Sequence, residues 1–207
     1  MSKGRLAPLT GVAFVVLAII AFVIGGEPPD PSEDSAQKIV DFYKENKDAQ
    51  IPSAILGAIA GTLFVFFGGC VRRVLRDAEG PGGILSAVAF AGTIIFATGL
   101  AIDGAISFAL ADTIDKLDPV GAQALSALYS YDFVVFALGL QLFLLAMGIS
   151  VVRHRALPSW LGWIAIVLGV LAITPIGFFV FLATGILVLV ISVMLTMRAR
   201  PTPSGAS

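Results

Sequence analysis

Two carboxylates, Asp103 and Asp132, interrupt otherwise apolar stretches on either side of an acidic turn, Asp112-Thr113-Ile114-Asp115-Lys116-Leu117-Asp118-Pro119. If the chain folds back between Leu117 and Asp118, the two lie nearly equally far along the chain from the tip and so at one height. Facing carboxylates can hold a cation, share a proton or divide acid and base roles, because like charges cannot both ionise freely at close range. In a membrane such groups are costly and are often functional. The plainer reading is that they mark where two helices leave the lipid, hydrated or hydrogen-bonded to Tyr129, Tyr131 or Ser107. Gln141 lies deeper in its apolar run, where a hydrogen bond across a helix interface is worth about 0.6 kcal/mol. Asp103, Asp132, Tyr129 and Gln141 are the candidate polar site.

Other chemistry finds little material. The chain has one histidine, His154, set between Arg153 and Arg155, so no Ser–His pair can form inside a span. Paired aspartates can hydrolyse bonds within membranes, but nothing around Asp103, which Gly-Ala-Ile follows, resembles an intramembrane protease signature. Gly80-Pro81-Gly82-Gly83 lacks the lysine and the strand that a phosphate-cradling loop needs. A single cysteine, Cys70, excludes an intramolecular disulfide, and no His/Cys/carboxylate cluster has zinc-ligand spacing. No catalytic, cofactor-binding or metal site is expected, hence no enzyme and no cofactor. No basic face offers itself to nucleic acid.

The elements that position the carboxylates follow from composition. Of 207 residues, 57% are hydrophobic and only 13% charged, against about 25% charged in ordinary globular domains. The charges fall in short clusters separated by uncharged runs long enough for a hydrocarbon core of about 30 Å at about 1.5 Å per residue. The expected fold is all-α: one membrane domain over residues 1–200, a polytopic bundle of six spans at about 6–24, 51–71, 84–103, 133–152, 157–173 and 176–197. A cleavable signal peptide would begin like the first run, but its apolar region would span only about 7–15 residues. Residues 157–197 carry no charge, and Thr174-Pro175 is expected to divide them into two spans. Pro158 suits a helix start, and Trp160 and Trp163 suit a membrane interface. Gly57 and Gly61 form a GxxxG pair on the second span, and Gly92, Gly99 and Asp103 share one face of the third.

Between the first two spans, Pro28, Pro29 and Pro31 stop any helix, and Ser32 offers an N-cap for a new one. Ile39, Val40, Phe42 and Tyr43 recur at helical spacing on one side, with Lys38, Asp41, Lys44 and Glu45 elsewhere. This predicts an amphipathic cap helix over about 32–47. Residues 104–131 are expected to form a hairpin projecting beyond the bilayer, its apolar surface covered by the cap helix through those four residues. Lys38, Lys44 or Lys47 would then reach Asp103 or Asp132.

All Lys and Arg except Lys38, Lys44, Lys47 and Lys116 fall on one side of a six-span arrangement, which makes that side, with both termini, cytoplasmic. Residues 201–207 are expected to be a disordered cytoplasmic tail. The stretch Asp34-Ser35-Ala36-Gln37-Lys38-Ile39-Val40-Asp41-Phe42-Tyr43, the loop Ala78-Glu79-Gly80-Pro81-Gly82 and the segment Leu157-Pro158-Ser159-Trp160-Leu161-Gly162-Trp163 resemble a family of uncharacterised six-helix integral membrane proteins of high-GC Gram-positive bacteria. The likeness extends over nearly the whole chain. It implies a bacterial plasma-membrane location and carries no activity. The functional expectation is a non-enzymatic accessory or envelope component contacting the lipid bilayer and binding a protein partner, lipid or a second copy of itself. A small transporter or channel for a cation, proton or small solute through Asp103 and Asp132 is the alternative, with a membrane-embedded enzyme far behind.

Overall fold

The computed structural model describes residues 7–174 and 176–198; Lys3, Arg5, Leu6, Pro175, Arg200 and the tail 201–207 lie outside the described residues. The described chain is helical, with no strand among the described residues. A 3-10 turn, Ala7–Leu9, leads into α1 (Thr10–Gly25), followed by α2 (Ala36–Glu45), α3 (Lys47–Glu79), α4 (Leu85–Thr113), α5 (Pro119–Tyr131), α6 (Phe133–His154), α7 (Ser159–Leu171) and α8 (Gly177–Arg198). Five segments are long and apolar enough to cross a membrane: Ala7–Gly25, Lys47–Glu79, Leu85–Thr113, Pro119–His154 and Gly177–Arg198. This is the architecture of a multi-pass membrane protein.

Several boundaries differ from the expected ones. α3 starts at Lys47 and continues past the arginine cluster to Glu79, with Pro52 near its start. The cap helix begins at Ala36, because Ser35 and not Ser32 accepts the Lys38 amide. Ser32 is instead held by Asp30, whose Oδ1 accepts from both its backbone and its hydroxyl. Those bonds, the hydroxyl's first, pull the Asp30 carboxyl below its ordinary pKa of 3.8. The expected fifth span is shorter than predicted: α7 has 13 residues, about 20 Å at 1.5 Å per residue. Its helix ends at Leu171, whose carbonyl accepts the Thr174 hydroxyl at 2.6 Å. The helix after the acidic turn is not continuous either. It breaks at Asp132, which separates α5 from α6.

The bundle has two distinct ends. Gly11 near the start of α1 lies against Phe67 and Ser192, and Arg198 at the end of α8 donates to the Ala156 carbonyl just after α6 at 2.9 Å. Arg72, Arg73, Arg76, Arg153 and Arg155 share this arginine end. At the opposite, cap end, the Gln50 amide at the start of α3 donates to Gly25 O, the last residue of α1, at 2.5 Å. Because α7 leaves the arginine end and α8 returns to it, those two helices form a hairpin.

Neighbouring helices α1–α3, α3–α4, α4–α6 and α6–α7 pack most extensively. Their centre is a cluster of phenylalanines. The Phe64 ring stands 4.7 Å from Phe14, 4.8 Å from Phe96 and 5.3 Å from Phe143 by centroids. Phe64, Phe67 and Phe96 are completely buried. At the arginine end Glu79 joins three helices: its carboxylate accepts the Ser86 amide in the first turn of α4 and the Ser150 hydroxyl of α6 at 2.6 Å. The turn that brings it there needs Gly80 at φ +74° and Gly82 at φ +91°, a region that favours glycine.

Candidate polar site at the cap end

The register of α4 against α6 sets the position of the two carboxylates. The face of Gly92 abuts the Phe143 amide and the Gly139 carbonyl, Gly139 abuts Phe96, and Gly99 abuts Phe136. α4 and α6 are therefore antiparallel, with 92 across from 143, 96 from 139 and 99 from 136. Advancing one more turn places Asp103 across from Asp132. The break at Asp132 falls at this level, so the carboxylate pair also faces the C-terminal end of α5.

The cap helix closes the site from above. Ile39, Val40 and Tyr43 are buried against Leu110, Ala111 and Ile114 of α4 and its following turn and Ala122 of α5, with Phe42 partly buried at the edge. Asp118 caps α5 by accepting the Gly121 amide, Pro119 opens the helix, and Gln123 then donates to Pro31 O at 3.0 Å. That bond fixes the segment leading into α2 onto α5. Asn46 Nδ2 donates to Phe42 O at 2.8 Å and ends α2, so the chain turns directly into α3.

Tyr43 sits at the lower end of the cap helix, above the carboxylates. Its side chain is completely buried, and its hydroxyl has no hydrogen-bond partner among the described residues. Burial first, and the charge of Asp103 second, raise the pKa of its phenol, so it remains protonated. Tyr129 of α5 is in the electrostatic reach of Asp103, Tyr43 and Asp132, and Asp132 is in that of Asp103. Ser126, one turn before Tyr129 on the same face, is buried with an unpartnered hydroxyl. Asp132 is only 8% exposed, and its Oδ2 is likewise unpartnered.

No lysine among the described residues neutralises the pair. Lys38 instead joins Asp34 at 2.6 Å, and Lys47 reaches the Asp112 carbonyl at 3.4 Å and Asp115 at 4.0 Å. Lys44 is exposed. The expected lysine contact fails for a geometric reason. Lys38 and Lys44 lie off the buried Ile39–Tyr43 stripe, and Lys47 already belongs to α3 and points to the turn after α4.

Gln141 does not join this site. It is half-buried two turns below the carboxylates on α6 and makes no side-chain hydrogen bond among the described residues. The buried amide that links helices is Gln50, which no motif or spacing marks: it is 2% exposed and accepts the Ser107 hydroxyl at 3.1 Å while donating to Gly25. Ser107, an anticipated partner of the aspartates, is thereby turned to Gln50. Tyr131, another anticipated partner, is exposed. A signal for Gln50 existed in its place just before an apolar run, but nothing local names its partners. His154 lines a separate cavity of about 320 Å³ at the arginine end, with Glu79, Gly82 and Arg153.

No protein-family model, curated protein or solved structure matches the chain.

Proposed function

We propose that this chain is a non-enzymatic multi-pass component of a bacterial plasma membrane, an accessory or envelope protein that binds a protein partner or lipid through its capped end. The observation that carries this reading is the phenylalanine cluster below the carboxylates. Phe14, Phe64, Phe96 and Phe143 fill the bundle axis with rings at contact distance, so a solute entering beside Asp103 meets packed aromatic surface. A transporter would need that cluster to part. Beyond the cap, Val120 and Leu128 on α5 remain exposed, apolar surface of the kind that a partner or lipid covers.

In this reading the arginine end is cytoplasmic and the cap end external, with six passages. The short α7 completes the fifth, which the return of Arg198 to Ala156 supports. Membrane-impermeant thiol labelling in a C70S background tests the sidedness. S35C and D115C are expected to react in intact cells, and A78C and H154C only after permeabilisation. Labelling of A78C in intact cells overturns the six-pass topology.

The functional reading is tested by reconstitution and crosslinking. Proteoliposomes are expected to pass H⁺, Na⁺ and K⁺ no faster than empty vesicles, while a photo-crosslinker at position 120 or 128 gives one discrete protein or lipid adduct in cells. The second reading, a small cation or proton transporter, is favoured by the facing carboxylates without a basic partner. A flux that D132N abolishes would establish it and displace the first.

A further inference from the structure

The arginine end carries positive charge that the described residues leave uncompensated. Gly69, Arg72, Arg73, Arg76 and Asp77 recur at helical spacing on one face of α3 and line a groove of about 370 Å³. Three guanidiniums and one carboxylate share it, and none of the four makes an ion pair among the described residues. Glu79, the next carboxylate along α3, has its two oxygens engaged by the Ser86 amide and the Ser150 hydroxyl. Arg72 is held in place without a counter-charge. Its guanidinium lies over the Phe90 ring of α4, 5.2 Å from the centroid, so this cation–π contact spans the seam between α3 and α4. On the membrane side of the arginines, Gly69 leaves the helix surface low: within 4 Å, a Cβ there would meet only the edge of the Phe90 ring, at 3.9 Å.

The surface onto which the groove opens selects the occupant. A soluble anion would need the guanidiniums alone, whereas here they adjoin apolar surface. Toward the middle of the span the same face of α3 presents Phe66 and Ile59, 64% and 45% exposed, and Ile94, one turn beyond Phe90 on α4, is 46% exposed. The complementary ligand has a negative head and a hydrocarbon tail. Phosphate suits the head, because guanidinium N–H groups match its oxygens in paired, charge-assisted hydrogen bonds. Basic pockets between spanning helices at the membrane surface bind anionic headgroups in this way. We propose that Arg72, Arg73 and Arg76, with the notch at Gly69, form a site for one anionic phospholipid, its phosphate among the guanidiniums and an acyl chain along Phe66 and Ile94. The lipid lies across the junction of α3 and α4 and strengthens it at the arginine end. This site is separate from the capped end, and it stands whether or not the accessory reading does.

The test is native mass spectrometry of delipidated full-length protein in detergent, titrated with dioleoyl phosphatidylglycerol or dioleoyl phosphatidylcholine, with thermal unfolding of the same samples. One phosphatidylglycerol per chain is expected to be retained at least about tenfold more tightly than phosphatidylcholine, and to raise the Tm. R73Q and R76Q should each weaken that retention about fivefold, the order expected for one arginine at a charged headgroup. Both side chains are exposed, so these variants keep the fold and the test decisive. R153Q/R155Q removes two charges from the same end but outside the groove, and should change retention less than about twofold. G69L, which fills the notch without changing charge, should weaken retention while leaving the Tm of the lipid-free protein at or above wild type. The proposal is overturned if R153Q/R155Q acts as strongly as R73Q/R76Q, which would identify diffuse surface charge. It is equally overturned if G69L binds as wild type does, or if wild-type protein does not distinguish the two lipids. Glycerol 3-phosphate and inorganic phosphate separate the lipid from a soluble source: neither should raise the Tm at the same concentration, and binding of either as tight as that of phosphatidylglycerol overturns the lipid assignment.

Discussion

Gly139→Leu is expected to prevent accumulation of folded protein, and Gly139→Ala to destabilise it by about 1–3 kcal/mol. A Cβ at this position would overlap the backbone nitrogen of Phe96 and come within 2.9 Å of the Gly92 carbonyl. These are main-chain atoms on a neighbouring helix, so no side-chain rotation makes room. The helices would have to separate, and with them the register that places Asp103 opposite Asp132. Gly57 provides the control. Nothing lies within 4 Å of where its Cβ would stand, and alanine in a helix interior is favoured over glycine by about 0.5–1 kcal/mol. Gly57→Ala should therefore unfold at or above the wild-type temperature. Fluorescence-detected size exclusion and thermal unfolding in detergent measure both. Equal stability of Gly57→Ala and Gly139→Ala would show that α4 and α6 do not approach as described.

The second large effect concerns the phenylalanine cluster. Phe64→Ala should lower stability by about 3–5 kcal/mol, the loss of ring contacts plus the cavity left among surroundings that relax only partly. The ring is wholly buried and stands within 5.3 Å, centroid to centroid, of Phe14, Phe96 and Phe143. Those three rings belong to α1, α4 and α6, so its removal loosens four helices at once. Phe22→Ala is the comparison, since Phe22 is 61% exposed and should change stability by no more than about 0.5 kcal/mol. Denaturant titration of the two variants in one detergent separates them. If they lose stability equally, Phe64 is not the centre of the core and the bundle axis is not closed to solutes.

These two cases show where sequence stops being informative. Gly57 and Gly61 form the conspicuous small-residue pair, yet only Gly61 has a neighbour, Ala97 at 3.4 Å. Gly92, Gly99 and Gly139 carry the closest backbone-to-backbone approach between helices, and a glycine looks the same in sequence whether its open face meets lipid or backbone. Contact is a property of two segments, and the pattern of one segment reports only its own face.

The amino-acid sequence alone specifies the class of object. Apolar runs, their lengths and the segregation of arginine are local facts, and they dictate helices long enough for a bilayer because an unpaired backbone cannot remain in lipid. It also determined that residues 36–45 have one apolar side, because that follows from a period of 3.6, and that Asp118-Pro119 begins a helix. Tertiary structure alone decided what those faces meet. It set the height of Asp103 against Asp132 through the glycine contacts one to three turns away. It drew Ser107 to Gln50 and Lys47 to the turn after α4, and it broke the helix at Asp132. Each of these depends on the distance between helices far apart in the chain. That distance is fixed by packing volumes and by competition among partners for each polar group, and no local period encodes either one.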